Sequence, residues 1–289
     1  MAAAERGAVL VTGASTGIGR ATALRLDGAG MRVFAGVRRE ADGEALRRER
    51  PGITPLLVDV TDTGSLQRAA AALHAELGDE GLSGLVNNAG ISGGAPVEFA
   101  PLDEVRRILE VNVVGVVAST QAFLPLLRAG SHPGRVVCIG SIGGRFAVPF
   151  LSAYSMSKSA VSAFCDSLRG ELRPWGIQVS LVEPGSIKTP IWDKGLNGLD
   201  AQLSQWPAEA NQLYGDVIPR MRRITEQTAA RAIPPDRVAK VVEHALTASR
   251  PRTRYVVGAD ARAQAMIRRL PDRLRDVVVA KMIGTPKKA

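Results

Sequence analysis

A tyrosine and a lysine stand four residues apart in a stretch whose residue types can carry acid–base chemistry. Tyr154 and Lys158 fall within a helix-compatible run over residues 152–172. A spacing of four places both side chains on one face of a helix. A free tyrosine titrates at ~10, which is too high for a base at neutral pH. Because a nearby cation favours the phenolate, the spacing predicts that Lys158 lowers the pKa of Tyr154.

A serine completes this group of residues. Ser141 lies thirteen residues before Tyr154, directly after the apolar run 136–139, where a strand should end. Its hydroxyl is expected to hold a substrate oxygen while the tyrosine moves the proton. The Tyr-x3-Lys pattern alone also fits a solvated pair of helix side chains, so the elements that position these residues must decide between the two.

A glycine-rich segment near the start of the chain lies between a predicted strand and a predicted helix. The apolar run 8–11 leads into Thr-Gly-Ala-Ser-Thr-Gly-Ile-Gly at 12–19, and a helix follows over 18–27. Gly13 permits a tight turn, Gly17 lets the backbone approach a phosphate, and Gly19 packs the helix on the sheet. A pyrophosphate would bind at the helix N-terminus. The predicted dinucleotide-binding residues of this loop are Gly13, Ser15, Thr16, Gly17, Ile18 and Gly19.

Two arginines follow the second predicted strand, residues 31–37. In a site for the unphosphorylated cofactor, an acidic residue near this point would bind the ribose 2′-hydroxyl. Arg38 and Arg39 stand here instead, and a guanidinium pairs well with a phosphate. The sequence therefore favours NADP, with Arg38 as the phosphate ligand. NAD stays open, because both arginines also fit a solvated surface.

Two further strand ends carry residues suited to a nucleotide. The third predicted strand, 53–58, ends at Asp59, whose carboxylate could accept a hydrogen bond from an adenine amino group. An amphipathic helix over 66–77 follows it. The fourth strand, 82–87, runs into Asn88-Ala89-Gly90, and small residues there let a cofactor pass close by.

Taken together, these motifs resemble the short-chain dehydrogenase/reductase family in order and spacing, over residues 8 to about 258. The segment 164–185 is similar to the retinol and 17β-hydroxysteroid dehydrogenase branch, which acts on bulky apolar alcohols and ketones. Many relatives carry two serines where this chain has Gly140-Ser141, and the count back from Tyr154 selects Ser141. The matching motifs are Thr-Gly-x3-Gly-x-Gly at 12–19, Asp59-Val60, Asn87-Asn88-Ala89-Gly90, Asn112, Ser141, Tyr154-x3-Lys158 and Pro184-Gly185.

The resemblance implies roles for four catalytic residues. Tyr154 is the implied general acid/base, and Lys158 lowers its pKa and holds the nicotinamide ribose. Ser141 hydrogen-bonds the reacting carbonyl, and Asn112 positions a water in a proton relay to Lys158. Implied cofactor contacts are Val60, Asn88, Ala89, Gly90, Tyr154, Lys158, Pro184, Gly185, Ile187 and Thr189.

The order of strands and helices and the resemblance together predict an α/β fold. Its doubly wound, Rossmann-type parallel sheet would be flanked by helices on both faces. The predicted function is an oxidoreductase that transfers a hydride between NADP(H) and an apolar secondary alcohol or ketone, or an alcohol and aldehyde, of steroid, retinoid or similar type. Two alternatives stay open: a nucleotide-binding regulator without catalysis, and an epimerase or dehydratase that retains its cofactor.

Composition argues against several other classes. The net charge is +9, but the arginines are scattered and aromatic residues make up only 4% of the chain, which does not favour nucleic-acid binding. The three histidines share no metal-ligand spacing, so no metal site is predicted. Cys138 and Cys165 fall in apolar segments, which predicts buried free thiols in a reducing, cytoplasmic setting. No signal peptide is visible at 1–7, and the uncharged stretch 111–127 is interpreted as a core helix.

One catalytic domain is predicted over residues 1–260, with an apolar-rich substrate lid at 190–235. Residues 261–289 form a basic amphipathic tail. It could lie on a membrane surface, although packing at a subunit edge or over the substrate opening is at least as well supported. The helices at 111–127 and 152–172 are expected to pair across a twofold axis, as in the family, which gives a homodimer or homotetramer.

Overall fold

The architecture comes from a computed structural model that describes residues 7–130, 132–192, 203 and 206–283. Seven strands alternate with helices along most of the chain. The strands, numbered β1 to β7, are Ala8–Val11, Arg32–Val37, Ile53–Leu57, Gly84–Asn87, Arg135–Ile139, Gln178–Pro184 and Arg254–Val257. The helices, numbered α1 to α11, are Gly17–Gly28, Glu40–Glu49, Thr63–Leu77, Leu102–Leu109, Gly115–Ala129, Ser152–Leu172, Ala208–Tyr214, Ile218–Ala230, Asp236–Thr247, Ala259–Ile267 and Asp272–Ile283.

The seven strands form one parallel sheet in the order β3-β2-β1-β4-β5-β6-β7. Strand order reverses between β1 and β4, because β1 pairs with both β2 and β4. In such a sheet, ligands bind in the crevice at the carboxyl ends of the strands beside this switch point. The predicted doubly wound fold is confirmed.

The sheet is buried on both faces, as expected for parallel strands. Leu10 and Phe34 point to one side and pack with α3, α5 and α6. Val9 and Val33 point to the other side and pack with α1 and α9. All four side chains are fully buried, and burying an apolar side chain of this size stabilises the fold by about 1.5–3 kcal/mol.

A single long helix, Leu102–Ala129, consists of α4, a π-helical turn at Glu110–Val114, and α5. By length and composition it could cross a membrane, with a mean hydropathy of 1.4 and 39% of its most apolar window buried. Phe123 and Leu127 are fully buried in the core that it shares with the sheet and α3. These contacts agree with the interpretation of residues 111–127 as a core helix.

The C-terminal helices pack on the rest of the fold. Ala261 in α10 is fully buried, and Val279 in α11 is buried against Phe146. The predicted boundary at 260/261 stays a prediction. Part of the predicted lid, including Leu196 and Leu199, lies outside the described residues. So do residues 1–6 and the C-terminal 284–289.

Candidate active site

The glycine loop between β1 and α1 has the backbone shape that its sequence requires. Gly13 and Gly17 have φ angles of +63° and +58°, in the left-handed region that glycine adopts without strain. A Cβ on Gly13 would lie 2.8 Å from the Cα of Ala89, and one on Gly19 would lie 2.3 Å from the carbonyl oxygen of Gly13. The closest contacts of Gly19 are therefore to the loop and to Asn88, directly after β4.

Hydrogen bonds tie this loop to the end of β4. The hydroxyl of Thr12 accepts from the backbone N–H of Asn88 at 3.0 Å and of Ala89 at 3.1 Å. The side-chain amide of Asn88 donates to the carbonyl oxygens of Thr12, at 2.9 Å, and Gly13, at 3.0 Å. Asn88 thus supports the loop through its side-chain N–H groups.

The start of α1 suits an anion. The first N–H groups of a helix have no partner inside it, and the helix dipole favours negative charge there. The N-cap residue Thr16 makes no side-chain cap hydrogen bond within the described chain. The close packing of Gly13 and Gly19 leaves the loop backbone uncovered by Cβ atoms. The residues present therefore fit a dinucleotide pyrophosphate.

Residues at the ends of β2 and β3 lie side by side at the same edge of the sheet. Arg38 is exposed and makes no hydrogen bond or ion pair within the described residues, whereas Arg39 donates from Nε and Nη2 to Asp42, both at 2.9 Å. Asp59 accepts from the backbone N–H of Thr61 at 3.0 Å and from its hydroxyl at 2.7 Å. Burial raises the pKa of Asp59, but these hydrogen bonds and the charge of Arg38 more than offset it and lower that pKa. Arg38 is thus the arginine free to meet a phosphate.

The structure brings Ser141, Tyr154 and Lys158 together, as predicted. Ser141 lies two residues after β5, and its hydroxyl accepts from the backbone N–H of Gly143 at 3.0 Å. Tyr154, in the first turn of α6, lies beside Ser141, because a Cβ on Gly143 would lie 3.4 Å from both Ser141 Oγ and Tyr154 Cε1. The Nζ of Lys158 lies 5.9 Å from the ring centroid of Tyr154 and donates to the carbonyl oxygen of Ile139 at 2.9 Å.

The pKa of Tyr154 is shifted in the direction opposite to the predicted one. Burial raises the pKa of the phenol, and the hydrogen bond with Ser141 offsets this only in part. The predicted lowering is wrong, because the ammonium of Lys158 lies across the ring and is held by Ile139. Burial also lowers the pKa of Lys158 to about 8. At neutral pH the phenol is therefore protonated, and the ammonium is mostly charged.

Asn112 lies in the π-helical turn, and its side chain is fully buried. Its Oδ1 accepts from the N–H of Ile91 at 2.8 Å, and its Nδ2 donates to the carbonyl oxygen of Ile91 and to the hydroxyl of Ser157, both at 2.9 Å. A Cβ on Gly90 would lie 3.3 Å from Asn112 Oδ1 and 3.5 Å from Lys158 Nζ. Asn112 therefore joins the loop after β4 to α6 beside Lys158. Its role in a water relay stays a prediction.

The loop that follows β6 lies against the glycine loop. A Cβ on Gly17 would lie 3.0 Å from the Cγ2 of Thr189. Ile187 is buried and pairs with Ile233 in an isolated parallel bridge. Of the predicted nicotinamide-side residues, Thr189 therefore lies against Gly17 at the start of α1, and the contacts of Pro184, Gly185 and Ile187 with a nicotinamide stay a prediction.

An apolar cluster covers the loop between Ser141 and Tyr154. Phe146 and Val279 are buried in it, together with neighbouring residues from the same loop, α8 and α10. Phe150, with a φ of +70°, packs edge-on against Tyr214 of α7 at a centroid distance of 6.0 Å. Tyr214 contacts Phe99 in the same way at 5.9 Å. The described part of the predicted lid and tail thus packs on the loop between Ser141 and Tyr154, and its role as a substrate lid stays a prediction.

Comparison with known proteins agrees with this geometry. The family model described as short chain dehydrogenase matches residues 7–198. The chain belongs to the short-chain dehydrogenase family. An NADPH-dependent 3-dehydrocapnine reductase from Ornithobacterium rhinotracheale is 35% identical over 94% of this chain and 95% of the relative. Human retinol dehydrogenase 5 is 36% identical over 97% of this chain and 90% of the relative.

One relative of the steroid branch and one solved structure also match this short-chain dehydrogenase over almost the whole chain. Bovine 17-beta-hydroxysteroid dehydrogenase type 6 is 36% identical over 97% of this chain and 90% of the relative. A Burkholderia cenocepacia J2315 short chain dehydrogenase, solved in complex with NADP, superposes with a TM-score of 0.72 at 26% identity, covering 96% of this chain and 98% of that one. The predicted retinol and hydroxysteroid dehydrogenase branch is confirmed.

Two residues that position the site of this short-chain dehydrogenase were missed among the predicted site residues. Thr12 is the residue that fixes Asn88 and Ala89, and its only sequence signal is its place before Gly13. Asp260, at the start of α10, accepts from the backbone N–H of Ser186 at 2.7 Å and so holds the nicotinamide-side loop. A carboxylate 74 positions away in sequence gives no local signal of that contact.

Proposed function

We propose that this short-chain dehydrogenase is an NADPH-dependent reductase of an apolar ketone or aldehyde, with Tyr154 as the proton donor. The observation that carries the proposal is the arrangement of three side chains: the Tyr154 ring lies beside the hydroxyl of Ser141, and the Nζ of Lys158 lies 5.9 Å from its centroid. The group lies at the carboxyl end of β5, beside the loop after β4 that carries Gly90. A phenol that is protonated at neutral pH can donate a proton to a carbonyl oxygen, so we assign carbonyl reduction as the direction at neutral pH.

Ser141, Tyr154 and Lys158 have separate roles in the proposed reduction. The nicotinamide, when bound, supplies the hydride to the carbonyl carbon. The hydroxyl of Ser141 holds the carbonyl oxygen and stabilises the charge that develops on it. Tyr154 gives that oxygen its proton, and the positive charge of Lys158 stabilises the phenolate that remains.

The choice of NADPH is supported by Arg38. Its guanidinium makes no hydrogen bond or ion pair within the described chain, and Arg38 directly follows β2, the strand end at which the adenosine ribose is expected. Asp59, ionised at neutral pH, is suited to accept a hydrogen bond from the adenine amino group. The NADPH-dependent reductase and the NADP complex among the similar proteins agree with this choice.

The substrate class is supported by the apolar cover of the site. Phe146 and Phe150 lie in the loop between Ser141 and Tyr154, and they form an apolar cluster with Val279 of α11. The similar proteins named for retinol and hydroxysteroids fit a bulky apolar substrate.

The test is hydride transfer from the labelled cofactor. NADPH carrying deuterium on the reactive face of C4 is incubated with the enzyme and a panel of steroid ketones, retinal and long-chain ketones. We expect one deuterium to appear on the carbinol carbon of at least one product. Binding of NADPH without turnover of any member would reject the proposal in favour of a non-catalytic nucleotide-binding protein.

We further propose that the chain forms a homodimer or tetramer in the cytoplasm. Val114 in the π-helical turn and Met156 in α6 are about half exposed, at 48% and 50%, on the helices expected to pair. Cys138 and Cys165 are buried free thiols, which suits a reducing compartment. Sedimentation at micromolar concentration tests the assembly, and a monomer mass would reject it.

A further inference from the structure

A buried carboxylate lies behind the serine of the active site. Glu183, near the end of β6, is only 1% exposed. Its Oε1 accepts from the Nε of Arg145 at 2.6 Å, and its Oε2 accepts from the Nη2 of the same guanidinium, so the pair is bidentate. The Nη1 of Arg254 lies 3.6 Å from Oε1. A buried charge is tolerated only with such partners, so burial of Glu183 holds Arg145 in place.

Arg145 directly follows the short 3-10 turn Ile142–Gly144 that Ser141 caps. Within that turn the N–H of Gly144 donates to the carbonyl oxygen of Ser141 at 3.0 Å, and the N–H of Arg145 donates to that of Ile142 at 2.9 Å. The turn is thus fixed at its start by β5 and at its end by the bidentate contact of Arg145 with Glu183. Ser141 lies between these two anchors.

The second guanidinium extends the network to the helix of Tyr154. Arg254 in β7 donates from Nη1 to the hydroxyl of Ser162 at 2.8 Å and forms an ion pair with Asp166. Both partners lie in α6, two to three turns after Tyr154. Glu183 therefore sits between the turn that carries Ser141 and the helix that carries Tyr154.

We propose that Glu183 and Arg145 are positioning residues that fix the hydroxyl of Ser141 against the phenol of Tyr154. This inference rests on the proposed function, in which Ser141 holds the carbonyl oxygen. The planar guanidinium makes two parallel hydrogen bonds to the carboxylate, and these fix the direction of the turn. A single hydrogen bond from a lysine ammonium would not fix that direction. A displacement of about 1 Å at a reacting group can cost about a hundredfold in rate.

The variants that test the proposal are Arg145→Lys and Glu183→Gln, each in the wild-type and the Ser141→Ala background. Arg145→Lys keeps the charge and loses the bidentate geometry, and Glu183→Gln keeps the shape and loses the charge. In the wild-type background we expect kcat to fall about ten- to a hundredfold while the Kd for NADPH stays unchanged. In the Ser141→Ala background we expect little further loss, because the residue that the pair positions is already absent.

A matched control is Glu243→Gln. Glu243 in α9 accepts from the Nε of Arg25 in α1 at 2.5 Å, in a half-buried pair remote from Ser141. We expect it to lower the melting temperature without changing kcat. If the loss of kcat in each double variant equals the product of the losses in its two single variants, Arg145 and Glu183 are merely structural and the inference is overturned.

A readout without turnover separates this inference from the proposed function. Amide hydrogen exchange is measured on peptides that cover residues 141–146. We expect Arg145→Lys to speed exchange at the turn amides of Gly143 and Gly144, and Glu243→Gln to leave it unchanged. Unchanged exchange in the turn would overturn the inference even in an active enzyme. A wild type that turns over no carbonyl would instead reject the proposed function.

Discussion

Replacing Arg38 with alanine should remove most of the preference for the phosphorylated cofactor. Arg38 has no partner within the described residues, so its guanidinium is available to bond two oxygens of a 2′-phosphate. Hydrogen bonds to charged groups contribute about 1.5–3 kcal/mol, or about ten- to a hundredfold in affinity. Arg38 is exposed and lies near the carboxylate of Asp59, and both features weaken its attraction for a phosphate. We therefore expect the lower end of that range.

The assay is the ratio of kcat/KM for NADPH to kcat/KM for NADH at constant ionic strength. We expect wild type to favour NADPH by about tenfold or more and Arg38→Ala to lose most of that ratio. Arg39→Ala is the matched control, because Arg39 is already bound to Asp42 and its side chain is 77% exposed. A wild type that prefers NADH, or a ratio that Arg38→Ala leaves unchanged, would refute the assignment of Arg38.

Three further perturbations test other parts of the site. Because burial lowers the pKa of Lys158 to about 8, its ammonium loses its charge above that pH, so kcat/KM for carbonyl reduction should fall as pH rises through 8; a flat profile between pH 7 and 9.5 would contradict this. Gly19→Ala would place a Cβ 2.3 Å from the carbonyl oxygen of Gly13, so we expect a loss of about 1–3 kcal/mol in the free energy of unfolding, measured by urea denaturation, together with weaker NADPH binding. Val279→Asp should detach α11 from Phe146 and raise the KM for an apolar ketone several-fold at constant Kd for NADPH; an unchanged KM would show that α11 does not cover the substrate.

The parts of the site that sequence predicted are those encoded by short spacings. The glycine loop and the Tyr154–Lys158 pair depend on residues within eight positions of one another, and each falls where a strand ends or a helix begins. The sign of the Tyr154 pKa shift could not be predicted, because it depends on how deeply the folded chain buries the phenol. The spacing of residues in the sequence predicts which side chains are neighbours, but it does not predict how deeply each side chain is buried.

Contacts between residues far apart in the sequence, and helices with few apolar residues, were also not predicted. Glu183 and Arg145 are 38 positions apart, and their pairing depends on the register of β5 and β6. Helix α2 was not predicted, because only Gly43 and Leu46 in it are buried and no apolar periodicity marks it. The helix predicted at 111–127 begins earlier, at Leu102. Its first turns, in α4, were not predicted because they carry exposed charged residues.

Rapid mixing of the Tyr154→Phe variant with NADPH and a ketone that the wild type reduces tests the central claim most directly. Phenylalanine keeps the ring and removes only the hydroxyl group, the proposed proton donor beside Ser141. NADPH fluorescence gives the Kd, and the decay of its absorbance in a single turnover gives the rate of reduction. We expect an unchanged Kd and a rate lower by at least about a hundredfold, the upper part of the usual effect of general acid catalysis. A variant that reduces the ketone at the wild-type rate would contradict the role of Tyr154 as proton donor.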